Sequence, residues 1–130
     1  MKLLLVGFIA LFACPAYGRD FDGRVSRANA ALASKQGGVY AEWVDEQIRP
    51  LITKTLQECF GAVDRPDNSG FLLVADVKRS GELSDVEVRP STNISRCFAH
   101  SLESKVLQGP ILAKGQRAFP LVLDLGVHVQ

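Results

Sequence analysis

Lys2 is followed by an apolar run from Leu3 to Ala13 and then by Cys14-Pro15-Ala16-Tyr17-Gly18, after which Arg19 and Asp20 end the apolar character. This pattern predicts a secretory signal peptide over residues 1–18, with a short basic start, an apolar centre and small residues spaced as Ala16-x-Gly18 for cleavage. A membrane span needs about 20 apolar residues, and this run is too short for one. Leu11-Phe12-Ala13-Cys14 also resembles a lipobox, in which Cys14 would carry lipid and become the N-terminus. Phe12 and Pro15 fit that pattern poorly, so cleavage after Gly18 ranks above it.

Export sets the redox compartment and therefore constrains the fold. Cleavage removes Lys2 from the 15 basic residues and Cys14 from the three cysteines, leaving 14 basic against 14 acidic side chains and two cysteines. In an oxidising compartment such a pair is bridged rather than free, which predicts a Cys59–Cys97 disulfide. Closing a loop of that length restricts the unfolded chain by about 4 kcal/mol in the loop-entropy model. The balanced charge gives no basic surplus to neutralise phosphates, so nucleic acid is not an expected partner. At 130 residues and 47% hydrophobic content the chain is sized for one domain, expected over residues 39–130.

Residues 19–38 are polar and alanine-rich, end at Gly37-Gly38, and read as a weakly ordered helical lead-in. From Tyr40 to Phe60, apolar residues recur at Val44, Ile48, Leu51, Ile52, Leu56, Cys59 and Phe60 with helical spacing. Pro50 predicts a kink or a fresh start within that helix. Asp64 to Gly70 is a turn, and Phe71 to Lys78 then alternates as a strand. Ser80-Gly81 turns the chain into a second strand from Leu83 to Arg89, making a hairpin. Ile94, Cys97, Phe98, Ser101, Leu102 and Val106 outline another helix, capped ahead by Pro90 to Asn93 and ended by Gly109-Pro110. Phe119 to Val129 has the cleanest period-two pattern in the chain, with Val122, Asp124, Gly126 and His128 opposite the apolar side, and reads as a third strand. The expected fold is α+β, order α-α-β-β-α-β, with a three-stranded antiparallel sheet and helices packed on one face.

Several stretches together resemble the C-terminal domain shared by TonB and TolA, most closely the branch of small exported proteins with a cysteine on each of two helices. They are Leu56 to Phe60, Gly70 to Val77, Ser80 to Leu83, Val86 to Thr92, and Cys97-Phe98, within a region covering about residues 45–127. The resemblance implies the fold helix, hairpin, helix, strand, with the last strand exposed at a sheet edge where a partner strand adds. An uncleaved membrane anchor, a long proline-rich spacer and the Tyr-Pro pair that usually precedes the first strand of TonB are not found here, so the resemblance does not imply energy transduction across the envelope.

Chemistry-bearing residues are few. Cys59, Cys97, His100 and His128 could be imagined around zinc, but the spacing lacks the two close pairs of such sites and a disulfide accounts for both sulfurs. No metal, cofactor or catalytic residue is expected. Glu42, Asp45 and Glu46 read as helix-start charges, and Trp43 as either a binding aromatic or a cap on the core edge. Asp76, Asp85, Glu87 and Asp124 lie on polar strand faces, so the competing reading is a small-ligand carrier or hydrolytic enzyme using that charged face. The favoured expectation is a non-enzymatic periplasmic protein-interaction module. It would bind an envelope protein, a peptide segment or a second copy of itself by strand addition. The predicted edge positions are Pro120, Val122, Asp124, Gly126 and His128, on a strand guarded by only Pro120 and Asp124.

Overall fold

The computed structural model describes residues 20–126. The signal-peptide positions, Cys14 and His128 lie outside them.

Helix α1 (Phe21–Leu32) starts where Asp20 Oδ1 accepts the Gly23 N–H at 3.2 Å, an N-cap reinforced by Asp22 in the first turn. Four residues later a continuous helical rod begins with α2 (Gly37–Trp43), passes through a π-helical stretch (Val44–Ile48) and ends as α3 (Arg49–Ala62). Pro50 explains the π stretch. It has no N–H and its ring would strike the carbonyl one turn upstream, so the ladder widens and the Arg49 N–H reaches back to the Val44 carbonyl. The expected kink is thereby taken up without breaking the rod.

Strands β1 (Phe71–Lys78), β2 (Leu83–Arg89) and β3 (Ala118–Leu125) form one antiparallel sheet in the order β2-β1-β3. The α+β class and the order α-α-β-β-α-β are those expected, with the rod counted as the second helix. Helix α4 (Asn93–Glu103) connects β2 to β3. Thr92 and Ser95 cap it reciprocally: Thr92 Oγ1 accepts the Ser95 N–H at 3.0 Å, and Ser95 Oγ accepts the Thr92 N–H at 2.7 Å. Ser95 is fully buried, and its hydroxyl also donates to the Pro90 carbonyl at 2.9 Å.

Cross-strand partners share a face, so Phe71, Leu73, Ala75 and Val77 of β1 stand beside Leu125, Leu123, Leu121 and Phe119 of β3. Against this face pack Tyr40, Trp43, Ile48 and Cys59 of the rod and Ile94, Phe98 and Leu102 of α4, forming the core. Trp43 belongs to it, with its ring edge-on to Phe119 and its Nε1 donating to the Gln108 carbonyl at 2.8 Å. Cys59 and Cys97 are bonded across α3 and α4, with Cα atoms 5.8 Å apart.

Two expectations are corrected. The helices do not all lie on one face, because α1 crosses the opposite face of the sheet diagonally. Phe21 lies 4.7 Å from the Arg89 guanidinium, a cation–π contact at the β2 side, and Arg24 reaches Glu87 and Asp76. Phe21 and Ala28 are buried there with Val74, so the segment expected as a lead-in is part of the folded domain. Its apolar content sufficed because one aromatic and a small residue that permits close approach can dock a short helix. The second correction concerns α4, which ends at Glu103 rather than running to Gly109. Val106 is 99% exposed, while Leu107 turns inward to 9%. Gly109 acts instead as a packing point: a Cβ there would lie 2.0 Å from the Arg79 carbonyl oxygen at the hairpin turn.

Candidate functional site

Strand β3 is an edge strand, and the ladder fixes which of its backbone groups face outward. Pro120 lies opposite Asp76 and has no N–H to give β1. The Lys78 N–H bonds the Glu82 carbonyl in the hairpin, so the even residues of β1 direct their backbone groups toward β2 and the odd ones toward β3. Leu121, Leu123 and Leu125 therefore pair with β1, whereas Val122 and Asp124 point both N–H and C=O away from the sheet, and Pro120 points its carbonyl. The outward Ala118 carbonyl accepts from Gln116 Nε2 at 3.0 Å.

The opposite edge is built differently. β2 carries an irregularity facing the Val74–Asp76 stretch, with Asp85 at φ 52°, a left-handed conformation at a bulge. Bulges twist an edge away from pairing, and β3 has a regular register along its whole length.

A groove of about 150 Å³ runs beside β3 at residues 119–122. Leu32, 41% exposed at the end of α1, forms one wall, and Ala41 and Val44 of the rod form the other. Asp45 and Arg49 close the lip with an ion pair at 2.8 Å, one helical turn apart. The walls are held together by the short link between α1 and α2, where Gly37 is required: a Cβ would sit 1.8 Å from the Leu32 carbonyl oxygen. Tyr40 ties the rod to the strand, its ring stacked on Phe119 at 4.3 Å and its hydroxyl donating to Gln116 Oε1 at 2.9 Å.

Of the sequence-derived edge positions, Pro120 and Val122 line this groove, while Asp124 and Gly126 are exposed beyond it. His128 lies outside the described residues. Sequence reasoning missed the walls. In sequence Val44 falls on the core stripe, Asp45 among the helix-start charges, and Leu32 within the polar lead-in. An aliphatic residue at the end of an otherwise polar helix was the available signal for Leu32.

The charged sheet face is occupied. Arg24 Nη1 donates to Glu87 Oε1 at 3.2 Å, and its Nη2 is 4.0 Å from Asp76 Oδ2 without a hydrogen-bond partner. Asp67, in the turn before β1, has its carboxyl held below the usual carboxylate range, first by the Ser69 side chain and then by the Ser69 N–H at 2.9 Å. Both thiols that a zinc site would need are consumed in the disulfide. Among the described residues no three His, Cys, Asp or Glu side chains gather as metal ligands. Nor is any helix among them long and apolar enough to cross a membrane. Comparison with protein-family models, curated proteins and solved structures returns no match to this chain.

Proposed function

We propose that the protein is a non-enzymatic interaction module of TonB/TolA C-terminal type. It works in the periplasm after removal of residues 1–18 and binds an extended segment of an envelope protein at the β3 edge. The observation that carries this reading is the pair of outward-facing backbone positions, Val122 and Asp124, beside an apolar groove. An added strand would take main-chain hydrogen bonds from those positions and selectivity from its alternate side chains. The disulfide supports an oxidising compartment. The rival reading, a ligand carrier or hydrolase on the charged sheet face, loses support because α1 lies across that face and Arg24 engages Asp76 and Glu87.

Amide exchange with and without an envelope partner tests the reading. The partner would be identified by photo-crosslinking from position 124 of the exported protein. The Val122 and Asp124 amides should exchange rapidly in the protein alone and slow when the partner is added. Amides that stay fast in the complex would place the contact elsewhere.

A further inference from the structure

We infer that the segment taken up at the β3 edge presents a large apolar side chain to the groove and, two positions away, a basic side chain to Asp124. This inference rests on the edge reading proposed above and gives it a ligand chemistry.

The apolar position follows from the size and walls of the groove. A cavity of about 150 Å³ is the volume that accommodates a benzene-sized group. Leu32, Ala41 and Val44 offer it carbon surface, and Leu32 is left 41% exposed until something covers it. The groove is confined to the Pro120 end. Residues 33–36 cross there from the face covered by α1 to the face covered by the rod, and Tyr40 fixes that crossing against Phe119. An incoming strand therefore has its anchor at the closed end and runs outward past Asp124.

The basic position follows from charge. Side chains on an added strand alternate between faces, so the residue facing Val122 and the one facing Asp124 are two apart on one face. Asp45 at the groove lip is already paired with Arg49, whereas Asp124 is exposed and makes no ion pair among the described residues. A cation opposite Asp124 complements the edge, and an anion there is repelled. The same geometry distinguishes this ligand from one recognised by its main chain alone.

The test uses capped, threonine-rich seven-residue peptides titrated into the ¹⁵N-labelled protein. One carries Leu at its third position and Lys at its fifth, a second replaces that Leu by Ala, and a third replaces that Lys by Glu. The Leu/Lys peptide should perturb the Val122 and Asp124 amides. It should bind about tenfold or more tightly than the Ala/Lys peptide, from burial of the anchor, and about two- to fivefold more tightly than the Leu/Glu peptide. Asp124→Lys should reverse the Lys-over-Glu preference while leaving the Leu-over-Ala preference. Equal binding of all three at those amides overturns the inference and leaves the edge reading intact. No perturbation of Val122 and Asp124 by any peptide overturns both. Concentration-dependent protection of these amides without peptide assigns the edge to a second copy and overturns the inference.

Discussion

Tyr40 lies flat against Phe119, the two ring planes 3° apart, so the helical rod that walls the groove is fastened to the strand that floors it. The pair is part of the core and part of the site's frame at once. Tyr40→Ala should cost about 3–5 kcal/mol, the range for truncating a buried aromatic. Tyr40→Phe keeps the stack and loses the bond to Gln116, a change of about 1 kcal/mol. Urea denaturation of the two variants checks both values.

The disulfide joins the helices that flank the hairpin in sequence, and it spans 38 residues. Cys59→Ala or Cys97→Ala should lower stability by about 2–5 kcal/mol. Thiol labelling of the unreduced protein should find neither sulfur reactive, and labelling of both would contradict the bridge.

Arg24 holds α1 to the sheet between two carboxylates. Arg24→Ala should cost about 1 kcal/mol, a modest figure because Asp76 and Glu87 are partly solvated. Its clearer signature should be faster amide exchange in α1 with β1 unchanged. Uniform slowing or no change in α1 would show that Phe21 and Ala28 suffice to dock it.

Much of the fold was legible because the strands and the α3 and α4 stripes follow simple periods. Phe71 to Lys78 and Phe119 to Leu125 carry an apolar residue at every odd position, and each of these ended on the core face, while the apolar Leu72, Val74 and Val122 blur the alternation on the other face. The placement of α1 was not legible, since its docking rests on Phe21 meeting Arg89 across the sequence, which no local period encodes. The end of α4 is hidden in sequence for a related reason. Gly109 looks like a helix stop in sequence, yet its lack of a side chain serves an approach to the Arg79 backbone in the hairpin turn. The edge residues of the site could be named from alternation and Pro120, but the groove walls come from three separated segments that only the tertiary fold brings together.

Ser95 couples capping to burial. Ser95→Ala removes its half of the reciprocal cap and leaves the Pro90 carbonyl without its hydroxyl donor, for a loss of about 1–3 kcal/mol. Ser95→Thr keeps the donor but adds a methyl at a fully buried position, so it should recover only part of that loss. Thermal unfolding of the two variants measures the difference.

Strand β3 turns the backbone of Val122 outward and that of Leu123 toward β1. Proline substitution reads this directly, because it deletes one N–H at a time. Unfolding by urea should place Val122→Pro within about 2 kcal/mol of the parent, since no ladder donor is lost, and Leu123→Pro about 3 kcal/mol or more below it. Comparable destabilisation by both substitutions, or a greater loss for Val122→Pro, would mean that the Val122 N–H already has a partner and that the edge is not free to accept a strand.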